Sequence, residues 1–431
     1  MHESAAIRRP RLLLIGPYFR PKYYGGVVQV YHQLLTRLQA LDGIIVSQRL
    51  GADSLGMAAF DRDCPSKFGY RVLRVARFDL TFQSDAGLWE RLFDSARFFI
   101  HTKYEWMRVL QEVEPDIIVC GATLTAGWLM SHVPRSIPFV NYLHGEELAT
   151  VGGSRFVRPY LFRKQLEAIR EADLNISVSR YTASRAADLS GIDRDDIQLL
   201  PNFVDITRFS PPAEREALRQ RLGWHDKRII LTLSRLTPRK GIDQAIRALA
   251  VLRREGRLSP DWLHVIAGQG EQEQQLRALV GELGITEHTK FEGFVDDDRV
   301  PEYYGAADVF LQPNRDLCGD TEGFGVVFLE ANACGTPVIG GNAGGTADAI
   351  RDGITGLRVD GEDLSAIAGA VEILTGHEES RRRMGLAGVE IIRREHRVEV
   401  AVERFEELLL GVLRKRRSLQ SFPGALKRSL L

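Results

Sequence analysis

The stretch TEGFGVVFLEANACGTPVIGGNAGG, residues 321–345, sets two carboxylates around the start of a short apolar segment. Glu322 precedes Gly323-Phe324-Gly325, and Glu330 follows about one helix length later. Val326, Val327, Leu329, Ala331 and Ala333 predict a short buried helix, stopped by Gly335 and then Pro337. Glycines ahead of a helix leave backbone N–H groups uncovered at the positive end of its dipole, which suits an anion. A glycine pair, Gly344-Gly345, closes the stretch. An anion site bracketed by two glutamates asks for a ligand that is more than a phosphate.

The stretch lies in the second of two alternating patterns. In the first half, apolar runs predict strands at 11–16, 44–48, 72–76, 116–120, 138–143, 175–179 and 197–200, with amphipathic segments such as 28–41 and 98–113 between them. A turn-rich joint follows, Pro201-Asn202-Phe203-Val204-Asp205 and then Pro211-Pro212. Strands resume at 228–233, 263–267, 289–291, 309–312 and 337–339, separated by helical patterns such as 243–253 and 271–283. Strand and helix in alternation predict an α/β fold with parallel, doubly wound sheets. A chain of 431 residues exceeds one comfortable core. We therefore expect a Rossmann-like domain over 1–205, a second over 206–395, and a C-terminal helix with a basic tail, Arg414-Lys415-Arg416-Arg417, over 396–431. Two such domains are expected to face across a cleft, since open α/β sheets bind ligands at the carboxyl ends of their strands.

Composition narrows the class. Lys+Arg and Asp+Glu are both 57, so bulk charge does not call for nucleic acid. Cys64, Cys120, Cys318 and Cys334 are scattered without a CxxC, which fits a reducing cytoplasm; Cys120 and Cys334 read as small buried hydrophobes. The start, MHESAAIRRPRLLLIGPYF, is basic and then apolar, but the run from Leu12 to Ile15 is too short for a secretory signal. No run has the length of a membrane span, so an integral membrane protein is not expected.

Several loops at strand ends carry candidate chemistry. Gly25-Gly26 precedes a helix and would let backbone approach a bound group, although glycine pairs are also plain turns. His144, in His144-Gly145, ends an apolar strand, where its ring can meet a sugar hydroxyl or phosphate or simply bond within the loop. No second ligand shares that tip, so a metal is not expected. Arg235 and Lys240, with Arg239 beside them, flank a tight turn in Ser234-Arg235-Leu236-Thr237-Pro238-Arg239-Lys240-Gly241. A guanidinium fork and an ammonium aimed at one point suit a diphosphate. The glycine spacing matches neither a P-loop nor GxGxxG, which weakens ATPase and NAD readings. Gly268 in Ala267-Gly268-Gln269-Gly270, and Phe294 in Phe291-Glu292-Gly293-Phe294, offer a flat surface with backbone groups for a nucleobase. Asp296-Asp297-Asp298 reads as solvated or helix-capping rather than as a metal site. Carboxylates accept from vicinal diols. Cations for a diphosphate and glutamates for two sugars together describe a nucleotide-sugar.

These motifs, in this order, resemble family 4 of the retaining glycosyltransferases, which have the GT-B fold. The resemblance runs from Arg11 to about Arg404, and within the family EGFGVVFLEANACGTPVIGG is most similar to the bacterial phosphatidylinositol and exopolysaccharide mannosyltransferases. It implies a metal-independent hexosyltransferase without a cofactor, with GDP-mannose favoured as donor over a UDP-sugar and a glycan or lipid-linked acceptor. It further implies that Arg235 and Lys240 hold the diphosphate and Glu330 the ribose. Glu322 and the N–H groups of Phe324 and Gly325, next to Gly323, would hold the transferred sugar, with His144 near its 6-hydroxyl. Gly25 and Gly26 would close on the phosphates, and backbone near Phe294 would meet the base. The C-terminal helix is expected to cross back to the first domain. Ser234 stands where the family commonly has glycine, and Phe203 likewise at the joint.

On the acceptor side, Phe93, Phe98, Phe99, Tyr104 and Trp106 interleave with Arg91, Arg97, Lys103 and Arg108. The expectation is a core-facing stripe with a charged outer face; the alternative is an amphipathic face on the inner side of the cell membrane, to which Arg414–Arg417 would add. Two other classes stay open at this point: a nucleotide-sugar 2-epimerase of similar plan, and a non-catalytic sugar-nucleotide-binding subunit.

Overall fold

The computed structural model describes residues 8–16, 18–21, 25–49, 54–76, 88–121, 125–148 and 157–421. They form two compact units, Met1–Leu200 with Ala401–Leu431, and Pro201–Val400.

The first unit holds seven parallel strands: β1 (Arg11–Ile15), β2 (Asp42–Gln48), β3 (Arg71–Val75), β4 (Ile117–Gly121), β5 (Phe139–Leu143), β6 (Leu174–Ser177) and β7 (Ile197–Leu199). Their order is β3-β2-β1-β4-β5-β6-β7. The second unit holds β8 (Arg228–Leu233), β9 (Trp262–Ala267), β10 (Thr289–Gly293), β11 (Val309–Gln312), β12 (Val338–Gly341) and β13 (Gly356–Val359), in the order β10-β9-β8-β11-β12-β13. In both, the unit's first strand is central and the order reverses beside it, the Rossmann-like arrangement that opens a crevice at the carboxyl ends of the strands.

Near-continuous apolar runs make these strands because both faces of a parallel sheet are covered by helices. Leu12, Leu13, Leu14 and Ile15 are all fully buried. In the second unit, Ile230, Ile266, Leu311 and Ile339 pack with Ile246 and Leu249 of the helix Ile242–Arg254 and with Val371 and Leu374 of the helix Leu364–Gly376. Cys120 and Cys334 are buried within their strand and helix cap.

The helix Leu88–Val113 resolves the aromatic stripe: Phe98 and Trp106 are buried, and Phe99 packs on Trp128 at 4.9 Å. Ile100 and Tyr104 point outward with Arg97, Lys103 and Arg108. The side chains of Arg91 and Phe93 lie outside the described ones. Among the described residues no helix is long and apolar enough to cross a membrane.

The C-terminal helix Val398–Ser421 begins in the second unit and packs against the first from Ala401 onward. Its anchor is Glu406, a buried carboxylate whose Oε1 accepts the N–H groups of Gln39 at 2.9 Å, Ala40 at 2.7 Å and Leu41 at 3.2 Å. Those donors follow the helix Gly26–Arg37, where the chain turns into β2. Arg416 pairs with Asp173 at 2.5 Å, so part of the basic tail is engaged in the fold. Glu406→Ala removes a charged acceptor from three N–H groups, and is expected to cost about 2 kcal/mol, or roughly 4–8 °C in Tm by thermal denaturation. An unchanged Tm would contradict the anchoring role.

Candidate active site

The predicted site residues stand at the carboxyl edges of the two sheets. His144 follows β5; Ser234 and Arg235 follow β8, Gly268 follows β9, Phe294 follows β10, and Glu322 lies in the connection after β11. Parallel strands and short loops place them there.

In the second unit the chain leaves β8 and turns through a single 3₁₀ turn, Pro238–Lys240. That turn directs two consecutive side chains at one carboxylate. Lys240 Nζ donates to Glu322 Oε2 at 2.5 Å, and Arg239 Nη1 donates to the same oxygen at 2.8 Å. All three side chains are largely buried, at 9%, 13% and 14% exposure. Burial pushes the Glu322 carboxyl up, but Lys240 and then Arg239 outweigh it and hold the carboxyl at about 2. Burial lowers the Lys240 pKa, Glu322 opposes that shift, and Arg239 and Arg235 reinforce it. Arg235 is exposed beside them, and its side chain makes no ion pair or hydrogen bond among the described residues. The carbonyl of Glu322 accepts the Gly345 N–H at 2.7 Å, which ties the glycine pair to the same loop.

The predicted helix is present as Val326–Ala333, with Gly325 as its N-cap. Gly325 has φ 92°, and a Cβ there would stand 2.6 Å from the Phe328 ring, so glycine is required on both counts. Phe324 is buried, and the N–H groups of Phe324, Gly325, Val326 and Val327 have no acceptor among the described residues. A helix start with open donors therefore lies next to a carboxylate already held by two cations.

Glu330 is in a different environment. Its Oε2 accepts the hydroxyl of Tyr304 at 3.0 Å, and no cation among the described residues pairs with it directly. Burial raises its pKa to about 7 against the lowering effects of the Tyr304 hydroxyl and of Arg208. Arg208 is committed nearby, paired with Asp297 at 3.2 Å and lying over the Phe209 ring at 4.8 Å. Neither Tyr304 nor Arg208 stood out in the sequence. Tyr304 precedes Glu330 by 26 positions, and the Tyr303-Tyr304 pair carries no motif.

On the base side, Gly268 has φ 126° and lets the Ser234 carbonyl pass 1.9 Å from where a Cβ would sit, so this glycine joins the β8 and β9 loops. Phe294 is 65% exposed. Asp297 begins a one-turn 3₁₀ helix, Asp297–Arg299, leading into the helix Val300–Ala306; no side chain caps either start, and Asp296 and Asp298 are exposed, which is the solvated reading and not the capping one.

In the first unit, His144 is buried with Nε2 unpartnered. Tyr142 packs on its ring at 4.4 Å and Tyr31 at 5.2 Å. Burial depresses its pKa to about 3, so the ring is neutral at working pH and suits a hydroxyl better than a phosphate. Gly26 opens the helix Gly26–Arg37 with Gly25 as N-cap, and the space where a Cβ would lie is open at both. Lys22, Tyr23 and Tyr24 lie outside the described residues.

The fold is shared with solved structures. A sucrose-phosphate synthase from Thermosynechococcus elongatus superposes with TM-score 0.75 at 20% identity, covering 94% of this chain and all of the other. Anabaena Alr3699/HepE in complex with UDP and glucose gives 0.71 at 20% identity, over 93% of this chain and all of the other. Residues 24–208 match the model described as Glycosyltransferase Family 4, and residues 214–390 match Glycosyl transferases group 1. Between them these two models take in most of the chain, which belongs to the glycosyltransferases with those two domains in series.

A GDP-mannose-dependent alpha-(1-6)-phosphatidylinositol monomannoside mannosyltransferase from Mycolicibacterium smegmatis is 41% identical over 221 residues, 51% of this chain and 57% of the relative. A D-inositol 3-phosphate glycosyltransferase from Nocardia farcinica is 36% identical over 274 residues, 61% of this chain and 59% of the relative. The chain thus spans a little under three fifths of the length of these curated relatives.

The environment of Glu330 has a thermodynamic consequence. Its folded pKa, about 7, lies above the ordinary 4.5, so the folded protein holds this proton more tightly than the unfolded chain. Stability from this group is greatest below the unfolded pKa, falls as pH rises toward 7, and is level above it. Glu330→Gln keeps an acceptor for Tyr304 and removes the charge. The variant is expected to gain on wild type between pH 5 and pH 8, by the order of 2 kcal/mol at the upper end, in urea denaturation. A difference independent of pH would contradict the assignment.

Proposed function

We propose that the chain is a retaining hexosyltransferase that moves a hexosyl group, mannose ahead of others, from GDP-mannose to a glycan or lipid-linked acceptor, without a metal. The observation that carries this reading is the cluster at the start of the helix Val326–Ala333. Lys240 and Arg239 meet on Glu322, Arg235 stands exposed beside them, and four N–H groups are open. The matches to glycosyltransferase models favour transfer over the epimerase and non-catalytic alternatives.

In the proposed complex the diphosphate lies between Lys240, Arg235 and the helix start. Glu322 Oε1 meets hydroxyls of the transferred sugar, and Glu330 accepts from the ribose diol. Gly268 and Phe294 would flank the base; in the first unit, taken by itself, the neutral His144 ring suits a sugar hydroxyl and Gly25 and Gly26 leave room for a phosphate. The bond from sugar carbon one to the phosphate oxygen breaks as the acceptor oxygen bonds to the same face of that carbon. The acceptor proton passes to the departing phosphate oxygen, and configuration is retained. Negative charge grows on the leaving diphosphate, where one close charge pair is worth about 4 kcal/mol at an effective dielectric near 20. Only the part of that interaction gained in the transition state speeds the reaction.

Asp296 and Asp298 are exposed and follow Phe294 closely in sequence, and a carboxylate near the base would favour guanine over uracil. Guanine presents an N–H and an NH₂ side by side to one carboxylate, whereas uracil presents a single N–H. The outward face of the helix Leu88–Val113, with Ile100 and Tyr104 among Arg97, Lys103 and Arg108, supports peripheral contact with an anionic membrane carrying a lipid-linked acceptor. On this reading the protein works in the cytoplasm at the inner face of the cell membrane.

Calorimetric titration tests the donor side. GDP is expected to bind more tightly than UDP, and Lys240→Met to weaken GDP by about tenfold or more through loss of a charged hydrogen bond. UDP binding more tightly than GDP would overturn the guanine reading, and unchanged GDP affinity in Lys240→Met would overturn the diphosphate assignment.

A further inference from the structure

The geometry gives Lys240 two anions to serve. Its ammonium lies 2.5 Å from Glu322 Oε2, and the proposed diphosphate would bind at that same ammonium. A phosphate that draws Lys240 away would leave a buried carboxylate without its counter-ion, which is strongly unfavourable unless the carboxylate takes a proton. A protonated Glu322 would be a weaker acceptor for sugar hydroxyls.

Arg239 is placed to prevent this. Its Nη1 donates to the same Oε2 at 2.8 Å, and its Nε lies 3.4 Å from Asp320. Its own carbonyl accepts the Arg315 N–H at 2.9 Å, and Arg315 is fastened in turn to the Pro238 carbonyl at 3.1 Å and to Asp243 at 3.1 Å. Both cations use Oε2, so Oε1 has no donor among the described residues.

We propose that Arg239 is a positioning residue that keeps Glu322 ionised, with Oε1 turned to the sugar, while Lys240 is shared with the donor diphosphate. The proposal rests on the reading of Lys240 as the diphosphate ligand. Arg239 is the neighbour of Lys240 in sequence, so one 3₁₀ turn supplies both a cation that can be lent and one that stays. The charged groups acting on Glu322 among the described residues are Lys240 and Arg239; Arg235 acts on Lys240, and Asp320 pairs with Arg239. Asp320 faces the guanidinium rather than Glu322, so it helps to hold Arg239 in place.

The test is proton linkage of GDP binding. The full-length protein is titrated with GDP between pH 6 and pH 8 in buffers of different ionisation enthalpy, which reports protons taken up on binding. Arg239→Gln is expected to weaken GDP by about tenfold at pH 8. It should also take up more protons than wild type, so that the loss shrinks toward pH 6. Arg239→Lys retains a cation and should show no excess uptake. Adding Glu322→Gln to Arg239→Gln should abolish the excess.

Should Arg239→Gln fail to fold, as judged by thermal denaturation, the Arg239→Lys titration still decides. Its linkage must match wild type, and proton uptake in excess of wild type would overturn the proposal. A folded Arg239→Gln that is weakened equally at every pH, or that binds as wild type does, would also overturn it. If Lys240→Met binds GDP as tightly as wild type, the underlying reading fails instead, whatever Arg239 does.

Discussion

A buried carboxylate stays ionised only where counter-ions or several N–H donors hold it, and Glu322 in the second unit has two counter-ions. The 3₁₀ turn after β8 brings up Lys240 and Arg239, the connection after β11 brings up Glu322, and Gly345 fixes the carbonyl of Glu322. The carboxylate is therefore ionised but not saturated. One oxygen is clamped, and the other is open. A free, solvated glutamate would hold a sugar hydroxyl less directionally, and an unpaired buried one would be neutral.

Glu330 shows what happens without cations. Eight residues later, inside the helix Val326–Ala333, burial raises its pKa to about 7, and among the described residues only a tyrosine hydroxyl bonds to it directly. Two carboxylates at one site thus have their pKa values driven in opposite directions, to about 2 and about 7, by their surroundings. Such separation is a common mark of functional sites, since neither arrangement is the cheapest for stability. The ionised glutamate suits the end of the ligand where charge must stay fixed. Glu330, near neutrality, is open to stabilisation of its charged form by a diol.

Much of the fold was legible in the sequence because a parallel sheet buried on both faces writes itself as apolar runs. β8 and β11 fall where 228–233 and 309–312 read as strands, and the helix Val326–Ala333 ends at the glycine and proline that predict its stop. β13 was missed, because Gly-Leu-Arg-Val is short and sits between Thr355 and the turn residues Asp360 and Gly361. The motif RLTPRK contains two guanidiniums, and nothing in its spacing says which one reaches Glu322; the turn at Pro238 decides that Arg239 does and Arg235 does not. The partnership of Tyr304 with Glu330 was invisible for a similar reason, since it depends on the packing of two helices far apart in sequence.

The most direct test of the donor-site arrangement is a crystal structure of the full chain with GDP-mannose. The predicted result has the diphosphate within hydrogen-bonding distance of Lys240 Nζ at the start of the helix Val326–Ala333, the ribose diol on Glu330, and mannose hydroxyls on Glu322 Oε1 and the Phe324 and Gly325 N–H groups. A nucleotide bound away from the start of the helix Val326–Ala333, or a ribose with no contact to Glu330, would contradict it.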